Sequence, residues 1–156
     1  MQKKLIFIFL TLLSVTTFGG EFDPLKKIAV QDGGRIKPFD TFARESMQLV
    51  YGKQKLKGKS SIEVVFTWML LPDVWSSMEI VQVNYGRLKD DLDPPREKKY
   101  FAPASLMSHP KLPTLIQTVN SKQEVKERLN SYDQAILQLS QQISHFQAIA
   151  NGLHPG

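Results

Sequence analysis

The side chains that could do chemistry in this 156-residue sequence are a few carboxylates, three imidazoles and a run of lysines. Asp40, Glu45, Asp90, Asp91 and Asp93 are the acids whose pairing would suit acid and base work on a sugar bond. Their spacing selects no such pair. Asp40 fits a helix cap, and the 90–93 cluster fits a solvated turn. His109, His145 and His154 are the only histidines. A helical ligand pair needs a spacing of three or four, which the interval between the last two does not offer. Each is expected as a surface or capping group. The sequence holds no Gly-x-Ser-x-Gly elbow, no phosphate-binding glycine loop and no His-Glu-x-x-His pair. The expectation is a protein that is not an enzyme, with no catalytic residue, no metal ligand and no cofactor bound directly.

Lys53, Lys55, Lys57 and Lys59 put a cation at every second position, so in one extended segment four ammonium groups would line a single edge. Such an edge is either a solvated loop or a contact for anionic headgroups or an acidic partner, at about 1 kcal/mol per lysine near an anionic surface. Trp68 lies on the apolar face of a helical pattern and belongs in the core. Trp75 follows Pro72 and Asp73 in a loop-like context, where an aromatic side chain also serves as a partner-facing anchor.

Composition narrows the class. With 42% hydrophobic residues and no cysteine, the chain is a folded domain without disulfides or cysteine-bound metal. Residues 1–20 carry Lys3 and Lys4, the apolar run 5–13 and small residues at Thr17 and Gly19, which is the pattern of a secretory signal peptide cleaved near Gly19 or Gly20. The run is short for a membrane span, which takes roughly 20 residues. Loss of Lys3 and Lys4 lowers the net charge from +5 to +3, too little to favour nucleic acid as a partner. The expected product is a single periplasmic domain over 21–156, soluble or peripheral on the outer face of the cytoplasmic membrane.

The elements that would position these groups follow from spacing. After a linker-like 21–24, two short extended stretches flank Asp32-Gly33-Gly34 and predict a small hairpin. A helix is expected over 40–51, capped by Asp40 and ended by Gly52. A second is expected over 61–71, capped by Ser60 or Ser61 and stopped by Pro72. Residues 79–83 form the best strand candidate, 92–96 a break, and 103–107 a short helical turn. Ser121 to Glu124 reads as a capping box. From it Val125, Leu129, Tyr132, Ile136, Leu139, Ile143, Phe146 and Ala150 recur by threes and fours, predicting one amphipathic helix over about 121–151, roughly 45 Å long. Its margins carry Gln138, Ser140, Gln141, Gln142 and Ser144 rather than charges. It therefore lacks the salt-bridge code of a specific coiled coil, and either packs on its own domain or docks on a partner helix. The fold class is helix-rich α+β, with a small β element near the N-terminus and a long C-terminal amphipathic helix.

One segment is more specific. Gly34-Arg35-Ile36-Lys37-Pro38-Phe39-Asp40-Thr41, followed by Ala43-Arg44-Glu45, forms a clasp on physical grounds. Gly33 and Gly34 permit the turn, Pro38 fixes the entry, Asp40 caps, and Arg44 and Glu45 bond to the turn or to each other. Arg35, Lys37 and Arg44 stand beside it as candidate partner-binding residues. This segment resembles the soluble N-terminal region of System II cytochrome c biogenesis proteins of the Ccs or Res type. In larger members a similar motif precedes a Trp-containing helix and then a long helix ending in Asn-Gly. The order of 64–75 and 125–152 fits that pattern. The resemblance implies covalent attachment of haem to an apocytochrome outside the cytoplasmic membrane. The family's transmembrane, tryptophan-rich haem-handling core has no counterpart in these residues. The implied role is an accessory or detached module that docks on a membrane-embedded cytochrome c synthetase subunit or positions apocytochrome c, with haem reached only through the partner complex.

Overall fold

A computed structural model describes residues 22–152 except 93, 94 and 96. The proposed signal peptide, His154 and Pro155 lie outside the described residues.

Phe22 opens the described chain and sets its ring edge-on against Phe66 at 6.0 Å, leading into a 3-10 helix at Asp23–Lys27. Phe22, within the stretch read as a linker, is thus packed, because it and Leu25 are apolar enough to seat on the core. Strands β1 (Ala29–Asp32) and β2 (Arg35–Pro38) pair antiparallel, with Asp32 opposite Arg35. Both turn residues, Gly33 and Gly34, have positive φ (56° and 74°), as a two-residue hairpin turn of this hand requires.

Helix α1 (Phe39–Tyr51) buries Phe39, Phe42, Ala43, Ser46, Met47 and Val50, a stripe stepping by threes and ones that keeps to one face. Its N-cap is Pro38, with no side-chain cap. Asp40 lies inside the first turn, where it complements the helix dipole and pairs with Arg44 at 2.8 Å. The expected Asp40 cap is therefore corrected: the helix begins one residue sooner. Gly52 ends it in the left-handed conformation at φ 77°.

Strands β3 (Lys55–Leu56) and β4 (Lys59–Ser60) form a second hairpin about Lys57 and Gly58. Helix α2 (Ser61–Leu70) is capped by Ser60, whose side chain accepts from the Glu63 N–H. Pro72 then opens the short helix α3 (Pro72–Ser76). Strand β5 (Val81–Gln82) leads through 83–85 to α4 (Gly86–Leu92), and β6 (Tyr100–Phe101) returns to pair antiparallel with β5. Helix α5 (Pro103–Met107) is the expected short turn.

The last third differs from the single helix expected over 121–151. Helix α6 (Leu112–Glu124) and helix α7 (Ser131–Ala150) are separate. Ser121 and Glu124 sit at the end of α6 rather than at a helix start. The chain turns at Lys126, which adopts φ 56°. A capping box at Asn130 and Asp133 then starts α7. Lys122 reaches Asp133, and Leu112 and Ile116 face Ile143, so the two helices run antiparallel as a hairpin. Helix α7 spans about 30 Å. Val125, expected on the apolar face, is 73% exposed at the reversal.

One hydrophobic cluster joins α1, α2 and α7. Trp68 is fully buried at its centre, edge-on to Phe146 at 5.3 Å and to Trp75 at 6.5 Å. Its indole N–H has no acceptor among the described residues, a cost on the order of 1–3 kcal/mol that the surrounding aromatic packing offsets. Among the described residues, no helix is long and apolar enough to cross a membrane. The fold is helix-rich α+β with small antiparallel strand pairs and a long C-terminal helix.

Candidate docking surface

The clasp is held by ions. Lys37 donates to Asp32 Oδ2 at 2.9 Å and to Glu45 Oε2 at 2.6 Å, tying the two strands of the first hairpin to α1. Hydrogen bonds to Asp32, then to Glu45, raise the Lys37 ammonium above the ordinary lysine range. The Phe39 N–H donates to the Ile28 carbonyl at 2.8 Å and fixes the entry to the helix. Glu45 thus bonds back toward the turn, whereas Arg44 turns to Asp40 and the two do not bond to each other. Arg35 is exposed at the turn beside Ile36, which is 78% exposed.

Across the α1–α7 seam, Ser46 Oγ and His145 Nε2 share a hydrogen bond at 2.8 Å, with the imidazole tilted against the Phe42 ring at 5.8 Å. Burial pushes the His145 pKa below the ordinary histidine value; Asp32 opposes that shift and Lys37 adds to it. A serine beside a histidine with an aspartate nearby invites comparison with a nucleophilic triad. Ser46 is only 1% exposed, so its hydroxyl meets no substrate and the pair acts as an interhelical tie. His145 is accordingly neither the surface nor the capping group expected. His109 does cap locally, accepting from the Lys111 N–H at 3.3 Å just before α6.

Further along α7, Gln142 is buried and donates to the Leu49 carbonyl at 2.9 Å and the Gln82 carbonyl at 3.1 Å. At the start of α7, Lys122 donates to both carboxylate oxygens of Asp133 at 2.9 Å, and that bond holds the carboxyl below its usual range. The Tyr132 hydroxyl donates to Asp91, with the Arg87 guanidinium 4.5 Å above its ring. Burial, then the Asp91 bond, pushes the phenol up to about 12.

Two of the concavities beside this helix share a residue. A cleft of about 310 Å³ lies between α7 and the 82–85 connection, lined by Gln82, Asn84, Tyr85, Gln134, Gln138 and Gln142 among others. A shallower depression of about 570 Å³ lies toward α1, lined by Thr41, Arg44, Glu45, Gln48, Gln54 and Gln138 among others. Gln138 lines both. The uncharged glutamines at the margin of the last helix thus become the lining of a surface. Among the described residues, no group of three histidine, aspartate or glutamate side chains is placed to hold a metal ion.

No family model and no curated protein matches this chain. The likeness of its clasp therefore rests on the residues of 25–45 themselves. Of the residues singled out there, Thr41, Arg44 and Glu45 share the depression beside α7, while Gly33, Gly34 and Pro38 shape the hairpin behind it. Trp75 is corrected from partner-facing anchor to core residue. It is 6% exposed, because the short helix opened by Pro72 turns its ring onto Trp68. The lysine run is corrected from one extended edge to a hairpin. Lys57 takes the turn at φ 47°, and Lys59 pairs with Glu63 one helical turn on. Lys53, Lys55 and Lys57 remain exposed and form no ion pair with a described residue. Sequence reasoning missed the Ser46–His145 and Gln142 contacts, which join positions 60 to 99 residues apart and leave no local pattern.

Proposed function

We propose that this chain is a non-catalytic docking module of c-type cytochrome maturation, acting outside the cytoplasmic membrane by contact with a membrane-embedded synthetase subunit and, through it, with apocytochrome c. The observation that supports it best is that Thr41, Arg44 and Glu45, from the segment resembling the System II proteins, line an open depression beside α7. Haem enters this reading only through the partner complex. Export follows from the signal-peptide pattern of 1–20.

The test is co-purification from the source organism in mild detergent with a tag at Gly156, with mass spectrometry and a haem absorption spectrum of the eluate. Recovery of a multi-spanning membrane protein with haem is the expected result, reduced when Arg35 and Arg44 are both changed to alanine. Recovery of the chain alone, with covalent haem in c-type cytochromes unchanged on its deletion, would overturn the proposal.

A second reading has one observation in its favour. Lys53, Lys55 and Lys57, exposed and without an ion pair among the described residues, make the second hairpin a contact for anionic membrane at about 1 kcal/mol per lysine. Binding to vesicles containing phosphatidylglycerol that vanishes in 0.5 M salt, roughly a 4 Å screening length, would favour it.

A further inference from the structure

The cleft between β5 and α7 is bordered by the chain that continues β5 through 83–85. The Val83 N–H donates to the Lys99 carbonyl at 2.9 Å, so residues 81 and 83 turn their main-chain groups toward β6. Alternation along an antiparallel pair sends those of Gln82 the other way, toward the cleft that Asn84 also lines just past the ladder. Gln142 Nε2 covers that edge at the Gln82 carbonyl. One position on, Asn84 is exposed, and its N–H and carbonyl bond to nothing among the described residues.

The opposite wall matches an added strand. Gln142 is 3% exposed, yet its Oε1 accepts no hydrogen bond and is not sealed from the cleft it lines. On α7, the side chains of Gln134 and Gln138 likewise bond to no described residue. A carboxamide carries the same donor and acceptor as a peptide unit. A row of them on α7, across from the unbonded main chain of Asn84, presents paired sites to an extended backbone. No charged residue lines the cleft, while Leu88 and Leu139 supply an apolar floor and Tyr85 a partly exposed aromatic rim.

We propose that this cleft binds an extended, uncharged polypeptide segment of a partner, adding it as a strand beside Asn84 with its backbone read by the α7 carboxamides. The inference rests on the docking reading above and names the chemistry of the partner there.

The test uses the ¹⁵N-labelled chain as the host exports it. The probes are blocked 12-residue peptides built from Ser, Thr, Val, Gln and Tyr, each paired with a version N-methylated at alternate residues. The expected result is saturable shifts of the Asn84 and Tyr85 amides, unchanged between 50 and 500 mM salt. Affinity should fall at least tenfold on N-methylation and in Gln134→Ala/Gln138→Ala, whose exposed substitutions leave the fold intact by circular dichroism. Absence of shifts to 1 mM peptide, equal binding of the N-methylated probes, or shifts that follow protein concentration alone and so report a second copy would each overturn it. Because the assay needs only this chain, its failure is distinguishable from failure of the co-purification test.

Discussion

Lowering the pH through the histidine range should loosen the α1–α7 seam, and replacing His145 should abolish that loss. His145 is the perturbed group: its Nε2 bonds Ser46 Oγ at 2.8 Å, its ring rests on Phe42, and burial depresses its pKa. The facing charges are Asp32, which favours the imidazolium, and Lys37, which opposes it. With the folded pKa below the unfolded value of about 6.5, the unfolded chain binds more protons below that pH. Stability is therefore full above about pH 6.5 and falls as pH descends from there toward the folded pKa. The linkage slope is at most about 1.4 kcal/mol per pH unit for one group. Between pH 7.5 and 5.5 the loss attributable to His145 is then bounded at about 1.4 kcal/mol, or a few degrees in Tm. Urea unfolding followed by the fluorescence of buried Trp68 and Trp75 at half-unit steps would measure it. His145→Gln retains a hydrogen-bonding group for Ser46 and removes the titration, so its stability should be flatter over that window. Parallel curves for the two proteins would refute the reasoning.

Four further outcomes follow from local geometry. Asn130→Ala breaks a capping box in which Asn130 Oδ1 accepts from the Asp133 N–H at 2.9 Å, and should cost about 1 kcal/mol in urea. Ser121→Ala, inside α6, should stay within about 0.5 kcal/mol of the parent. Trp75→Ala should cost about 3–5 kcal/mol by the same assay, as a buried aromatic residue does, whereas a pure docking anchor would leave stability unchanged. Lys57→Asn should raise Tm, by up to about 1 kcal/mol of stability, because asparagine tolerates the positive φ that lysine holds at the hairpin turn.

What was legible in the sequence was what short-range rules govern. The Asp32-Gly33-Gly34 turn, the Ser60 cap, the stop at Pro72 and the turn over 103–107 each depend on two or three neighbouring residues. The single helix over 121–151 failed because apolar spacing continues through Val125 and Leu129 without regard to where the chain reverses. The reversal is decided by Lys126 in the left-handed region and by Asn130 with Asp133, a weaker pattern than the Ser121 to Glu124 box that ends α6 instead. Asp40 misled for a related reason. A residue type that caps helices also pairs well at i,i+4, and Arg44 was in reach.

The site itself was only half visible, and the division has a physical basis. The charged residues of the clasp are largely engaged within it: Lys37 satisfies two carboxylates and Arg44 satisfies Asp40. Exposed pairs of this kind contribute on the order of 0–1 kcal/mol each, so their value lies in fixing the hairpin against α1 more than in stability. Under the docking proposal, Arg35 and the rim around Arg44 are what the motif leaves for a partner. Further groups with unused hydrogen-bonding capacity among the described residues lie on α7 and at Asn84, uncharged and far apart in sequence. A module whose recognizable motif holds the scaffold and whose unremarkable glutamines face the cleft would tolerate Arg44→Ala in stability far better than it tolerates loss of the α7 carboxamides in binding.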